Sequence, residues 1–206
     1  MSININILVA GVGGQGILLA GKLISQAAIA AGLDVKTSEI HGMAQRGGSV
    51  TTHVRFGDKV FSPVIDPGEA DFLLSFEKLE GLRYLDFLKT GGTVILNDQA
   101  IDPLPVAVGS DVYPAAAEDR IAARFPVVFI DAVWEAETLG NLRVANVVLV
   151  GALARFLPLP ASSWDTALTA AVPPRFLELN RRAFARGLEL AQKDYFVVGG
   201  ANHVEP

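Results

Sequence analysis

From Ile3 to Gly16 the chain carries no charged side chain, and it ends this run in Gly11-Val12-Gly13-Gly14-Gln15-Gly16. Few folds accept that combination. Ile3, Ile5, Ile7, Leu8, Val9 and Ala10 form a nearly continuous, largely β-branched stretch, the pattern of a strand buried on both faces. Gly11, Gly13 and Gly16 follow at the spacing that turns such a strand directly into a helix. The apolar residues beyond predict a helix from about Gly16 to Ala31, stopped by Gly32 at a C-cap position. Residues 2–21 are long enough to span a bilayer. However, Asn4, Asn6 and Gln15 interrupt them, the glycines break their middle, and they lack a basic leading segment and a cleavage site. A buried strand, turn and helix of a cytoplasmic protein is the reading.

The same strand–helix rhythm recurs downstream. Val35–Ser38 reads as a short strand, followed by an irregular stretch over Glu39–Gly48. Ser49–Phe56 alternates, with Val50, Val54 and Phe56 on one face and Thr51, His53 and Arg55 on the other. The Gly57-Asp58 turn would pair it with Val60-Phe61 as a hairpin. Phe72–Phe76 reads as a strand, Glu77–Leu88 as a helix ended by Gly91-Gly92, and Thr93–Leu96 as a strand delivering Asn97 and Asp98. Ala115–Arg124 reads as a helix, and Val127–Ile130 as a strand leading to Asp131. Residues 141–156 carry only Arg143 and Arg155 as charges, so that helix is buried in its own core or against another subunit. Pro174–Lys193 is an amphipathic packing helix. The expected fold is α/β, a Rossmann-like, mostly parallel sheet with flanking helices, a β-hairpin insertion and C-terminal helices. It forms one domain over residues 1–195, with a tail at 196–206.

Two stretches can carry chemistry. In the first, the glycines let a phosphate approach the backbone, and the helix N-terminus adds free amides and a partial positive charge. Glu39 lies in the region where a ribose-binding carboxylate follows such a turn. The glycines would serve equally as a tight strand–helix junction, with Glu39 a loop carboxylate. The second stretch, Glu39-Ile40-His41-Gly42-Met43-Ala44-Gln45-Arg46-Gly47-Gly48-Ser49, gathers a carboxylate, an imidazole, a guanidinium and an amide among three glycines. Glycines let the loop approach a ligand or partner backbone, and Arg46 offers a planar fork for carboxylate or phosphate. An arginine paired with Glu39 in a structural loop is the competing account.

Composition removes other classes. With no cysteine, the chain supplies no thiol nucleophile and no thiolate for an iron–sulfur cluster. His41, His53 and His203 have no zinc-ligand spacing, and His41 and His53 read as surface or loop histidines. Asp98 and Asp131 read as caps or turn formers. A net charge of −5 argues against a nucleic-acid binder.

Taken together, ILVAGVGGQG at 7–16, SEIHGMAQRGGSV at 38–50 and NLRVANVVLVGAL at 141–153 resemble the gamma-type subunits of 2-oxoacid:ferredoxin oxidoreductases, in the same order over roughly residues 3–190. The nearest likeness is to the small subunits acting on indolepyruvate. The resemblance implies a non-autonomous subunit of an enzyme that oxidatively decarboxylates a 2-oxo acid to an acyl-CoA and passes electrons to ferredoxin. It implies that no cofactor is bound by this chain alone. Thiamine diphosphate, magnesium and iron–sulfur clusters would sit on a larger partner subunit, with coenzyme A as co-substrate of the complex. Gly13, Gly14, Gln15, Gly42, Met43, Gln45, Arg46, Gly47 and Gly48 match the family's motifs, and Gly11, Gly16 and Glu39 complete the set of candidate cofactor, active-site or interface residues. A homodimer remains open for the isolated chain. The alternatives are a stand-alone NAD(P)-binding oxidoreductase and a nucleotide-sensing domain.

Overall fold

In the computed structural model, which describes residues 3–41, 47–193 and 195–196, the first strand β1 (Asn4–Val12) is the interior of the molecule. Ile7, Leu8, Val9 and Ala10 have no solvent exposure, because β1 has strands on both edges and helices on both faces. In chain order there follow α1 (Ile17–Ala30), β2 (Asp34–His41), β3 (Ser49–Gly57), β4 (Ala70–Ser75), α2 (Lys78–Arg83), β5 (Leu88–Asn97), α3 (Leu104–Ala107) and α4 (Ala117–Ala122). Next come β6 (Val127–Ile130), α5 (Ala132–Thr138), α6 (Ala145–Ala154), α7 (Ala161–Ala171), α8 (Pro174–Lys193) and β7 (Tyr195–Phe196). Single 3-10 turns at Leu85–Phe87 and Leu142–Val144 lead into β5 and α6.

The strands form one seven-stranded sheet in the order β2-β3-β1-β4-β5-β6-β7. Its centre, β1-β4-β5-β6, is parallel. β3 runs antiparallel between β1 and β2, and β7 lies antiparallel on β6. From the end of β1 the chain passes through α1 to β2 and β3 on one side, and then to β4 on the other. The end of β1 is therefore the switch point at which open α/β sheets place a ligand. One face carries the larger core, built from Ile7, Val9, Val54, Leu74 and Ile95 of the sheet and Leu23, Ile24, Val148 and Phe184 of the helices. The opposite face carries a smaller one around Leu8, Leu73, Val94, Leu96, Leu85 and Ile121. Among the described residues no helix is long and apolar enough to cross a membrane.

Several expectations are corrected. The strand read as Val35–Ser38 continues through Glu39 to His41, since each residue pairs with β3. The hairpin joins β2 to β3; Val60-Phe61 lies outside any strand. The helix over 77–88 stops at Arg83, and Gly91-Gly92 falls inside β5. There Ala70 pairs with Leu88 but Phe72 with Thr93, so Lys89–Gly92 bulges from the ladder. α5 and α7 went unread, and residue 196 of the expected tail belongs to β7.

Helix α6 is buried from Asn146 to Ala154, and its partners are α8, α5, α1 and the sheet of the same chain. Its apolar surface needs no second subunit. It crosses α8 closely: a Cβ on Gly187 would stand 1.9 Å from the Val148 carbonyl oxygen, and one on Gly151 2.2 Å from that of Phe184. Gly187→Ala tests this packing. Alanine would favour an isolated helix by about 1 kcal/mol, yet the variant is expected to lose roughly 1–3 kcal/mol through overpacking. Urea denaturation measures it, and an unchanged or higher midpoint contradicts the close crossing.

Candidate functional site

The turn at the switch point is held by its own side chain. Gln15 reaches back so that its Oε1 accepts from the Val12 N–H at 2.7 Å. Its Nε2 donates to the Phe76 carbonyl at 2.9 Å and to Gln99 Oε1 at 2.8 Å. Asn97, at the end of β5, joins the same network. It donates to the Phe76 carbonyl at 3.0 Å and to Gln99 Oε1 at 3.2 Å, and accepts from the Ala132 N–H at 3.0 Å. One carboxamide thus ties together the ends of β1, β4 and β5, and a second carries the tie to α5. Only glycine fits at position 11, where a Cβ would stand 2.8 Å from both Gln15 Oε1 and Phe76 Cβ.

Gly16 opens α1 in the left-handed region, with φ of 90° and no side-chain cap. A Cβ here would be strained by that φ and would meet Asn146 Nδ2 of α6 at 2.4 Å. The first turn of α1 therefore has no side-chain cap on its amides. Beside them lies a cleft of about 580 Å³ lined by Gly13, Gly14, Gly16, Ile17, Leu18, Leu19 and Val50. Its walls are mostly apolar, with the glycines of the turn at one end.

Gly47 and Gly48 close onto this turn. The Gly13 N–H donates to the Gly48 carbonyl at 2.9 Å, and the Gly47 N–H reaches the Gly13 carbonyl at 3.5 Å. The two glycine-rich motifs, far apart in sequence, therefore meet. Immediately after them, the Ser49 hydroxyl donates to Glu80 Oε2 of α2 at 2.5 Å, and the Tyr84 hydroxyl lies 3.1 Å from the Ser49 hydroxyl. Arg83 binds the other oxygen of Glu80 at 2.6 Å. Glu80 is buried, and this pairing fixes where β3 begins. Gly42, Met43, Gln45 and Arg46 lie outside the described residues.

Glu39 does not join the turn. It sits in β2 opposite Thr52, which is opposite Val9. Because β3 separates β2 from β1, the carboxylate is two strand spacings, about 10 Å, to the side. It lines a separate groove of about 450 Å³ with Lys22, Gln26 and Thr37. A ribose carboxylate would need the strand next to β1, and that place is taken by β3.

His53 is a buried core residue, not the surface or loop residue the sequence pointed to. Its Nδ1 accepts from the Ile65 N–H at 3.1 Å, and its ring meets Phe87 edge-on at 6.0 Å. Burial pushes its pKa below the ordinary histidine value. His41 ends β2. Asp131 caps α5 by accepting from the Trp134 N–H at 2.9 Å, and Asp98 pairs with Lys78 at 2.5 Å, as turn and cap formers do. Sequence reasoning missed Glu77, Glu80, Gln99 and Asn146. Glu77-x-x-Glu80 was the visible signal for the first two, since Glu77 caps α2 by accepting from the Glu80 N–H. Asn146 lay inside a quoted motif, and nothing marked Gln99.

Fold and site together define a Rossmann-like α/β domain whose switch point carries a glycine-rich strand–helix turn clasped by a second glycine pair. The family model for pyruvate ferredoxin/flavodoxin oxidoreductase matches residues 6–190, and the chain belongs to that family. It is similar to the indolepyruvate oxidoreductase subunit IorB of Pyrococcus horikoshii, 42% identical over 91% of this chain and 96% of the relative. The 2-oxoglutarate synthase subunit KorC of Methanothermobacter thermautotrophicus is 33% identical over 89% and 93%. Among solved structures, the keto/oxoacid ferredoxin oxidoreductase gamma subunit of Geobacter sulfurreducens matches with a TM-score of 0.69 and 27% identity, covering 91% of this chain and 98% of its own. The family resemblance carried by the three motifs is confirmed.

Two measurements test the site's construction. Gln15→Leu keeps the volume but leaves the Val12 N–H and Gln99 Oε1 without that partner, so a loss of about 1–3 kcal/mol is expected in urea denaturation. A stability equal to wild type contradicts the tie. For His53, the unfolded chain takes up a proton as pH falls through 6.5 while the buried imidazole resists. Its contribution to stability is thus present above that value and declines below it. The stability difference between wild type and His53→Asn is expected to narrow from pH 7 to pH 5. A difference independent of pH contradicts the buried neutral imidazole.

Proposed function

We propose that this chain is the small, non-autonomous subunit of a cytoplasmic 2-oxoacid:ferredoxin oxidoreductase that converts an aryl-2-oxo acid of the indolepyruvate class to its acyl-CoA. The observation that carries the reading is the clasp between Gly13 and Gly47-Gly48 beside the apolar cleft. It joins the two glycine-rich motifs of a chain that is 42% identical to a relative named for indolepyruvate. The chain's donor set does not fit the redox cofactors of that chemistry. It has no cysteine for a cluster, and the glycine turn offers peptide amides and apolar walls, which suit an anionic, partly apolar co-substrate such as coenzyme A. Thiamine diphosphate, magnesium and the iron–sulfur clusters therefore belong to a larger partner subunit, through which ferredoxin is reduced.

In this arrangement the chain's own contribution is positioning. Gln15 holds the turn, the first amides of α1 face an anion at no reorganisation cost, and Leu18 and Leu19 shield it from water on one side. Arg46 supplies a guanidinium for a carboxylate or phosphate.

The test is reconstitution with the larger subunit under anaerobic conditions, following ferredoxin reduction with indolepyruvate, pyruvate and 2-oxoglutarate in parallel. The chain alone is expected to be inactive and the complex to prefer indolepyruvate. Arg46→Ala is expected to lower turnover by roughly tenfold to a hundredfold at an unchanged urea midpoint. Preference for another oxo acid overturns the substrate class. Tight thiamine diphosphate binding by the isolated chain overturns the division of labour.

A further inference from the structure

Between β5 and β6 the chain leaves the sheet and returns only at Val127. The first part of this excursion projects from the same sheet edge as the glycine turn, since it departs from the C-terminal end of parallel β5 beside parallel β1 and β4. Three large apolar side chains stand exposed on it, Leu104 at 74%, Val108 at 66% and Val112 at 83%, with the exposed Asp102 and Asp111 among them. Leu104 and Val108 are one helical turn apart, so they present a shared face. Large side chains left in water together, on a segment next to a ligand site, mark a surface that another molecule covers.

The segment is not a loose loop. Near its base, the Ile101 N–H donates to Glu77 Oε1 at 3.0 Å, and the Tyr113 hydroxyl donates to the same buried carboxylate. The Leu79 N–H in turn donates to the Tyr113 hydroxyl at 3.0 Å. Burial, and then the Glu77 carboxylate, raise the Tyr113 pKa well above the ordinary phenol value, so it stays a donor. Lys78 bridges Asp98 at 2.5 Å and Glu118 at 3.4 Å, fastening the two ends to α2. The projecting part closes on itself, with the Ser110 and Asp111 N–H groups donating to the Pro105 carbonyl at 2.9 and 3.1 Å. Such a knuckle is ordered before it binds and loses little freedom on association.

Its charge says what covers it. Between Thr90 and Asp119 there is no lysine or arginine, while Asp98, Asp102, Asp111, Glu118 and Asp119 all fall there. Lys78 engages Asp98 and Glu118; Asp102, Asp111 and Asp119 have no ion pair among the described residues. A second copy of this chain, with a net charge of −5, would bring more negative charge to an acidic patch. An apolar patch with basic residues around it is the complement.

We propose that the Asp102–Val112 knuckle is the docking surface for the larger oxidoreductase subunit, which meets it with apolar side chains framed by arginine or lysine. This rests on the subunit assignment above. It also gives docking a route to the site. Gln99, at the base of the knuckle, accepts from Gln15 at 2.8 Å, so the docking segment is bonded at its base to the residue that holds the glycine turn.

The experiment measures association of the purified chain with the purified larger subunit by biolayer interferometry at low and high salt. Leu104→Asp and Val108→Asp, both at solvent-facing positions, are expected to weaken the complex by about tenfold or more. Asp102→Lys with Asp111→Lys is expected to slow association and flatten its salt dependence. Phe61→Asp serves as the control, since Phe61 is 84% exposed beyond the Gly57 end of β3, at the sheet edge away from the turn. Urea midpoints equal to wild type establish that each variant is folded. Wild-type affinity in the knuckle variants overturns the proposal. So does equal weakening by Phe61→Asp, or self-association of the chain that the knuckle variants abolish. If those variants assemble normally and the complex reduces ferredoxin, the subunit assignment stands and the docking surface falls. If wild type forms no complex, both fall.

Discussion

The carboxamide of Gln15 is the contact on which the rest of the site depends. A strand that turns into a helix leaves peptide groups at the bend that neither element satisfies. Gln15 answers the Val12 N–H and the Phe76 carbonyl with the two ends of one side chain, which fixes β1 against the chain leaving β4. Because the amide oxygen and the Phe76 side chain both crowd position 11, that position has room for hydrogen only. The glycine motif is thus first a packing solution. The same geometry holds the backbone of the turn in place, and groups held by the fold need no rearrangement when a ligand arrives.

The second glycine pair and the helix pair behind the sheet extend that constraint. Gly47-Gly48 meets Gly13 backbone to backbone, and Ser49 then anchors β3 to the buried Glu80. On the other side, Asn146 touches Gly16 from α6, and α6 is held against α8 by the contact of Gly151 and Gly187 with facing carbonyls. A chain of close approaches therefore runs from α8 through α6 to the turn. Each is a place where one methyl group would displace a helix, in an interior packed too densely to absorb it.

What the sequence made legible were the elements whose signals are local. β1, α1, β6 and α8 were readable because a β-branched run, a helical stripe and a terminal glycine need no knowledge of their neighbours. The partner of β3 was not. Its alternation specifies two faces but not which strand lies beside it, and the nearby Gly57-Asp58 turn pointed to Val60-Phe61 when the pairing was with β2. Gly91-Gly92 misled for a related reason: a glycine pair ends a helix or bulges a strand equally well, and only the register against Ala70 and Phe72 decides. Of the site, the glycines and Gln15 were legible as a motif. Gln99 was not, because its role consists of contacts with residues distant in the chain, and of Glu77 only the cap on α2 left a local signal, not its bonds to Ile101 and Tyr113.

The case of Glu39 shows how the same logic bears on function. Its spacing after the glycine turn would suit a ribose partner if the next strand lay beside β1. The insertion of β3 moves that strand outward and turns the carboxylate into the wall of a different groove. What occupies the place beside the turn is instead the Gly47-Gly48 clasp. A nucleotide domain reads its ligand with a turn and a carboxylate on adjacent strands. Here the glycine turn is kept and the carboxylate replaced by a second glycine segment that follows Arg46 in sequence. That exchange removes from the turn the neighbouring carboxylate by which a nicotinamide dinucleotide domain holds its ribose.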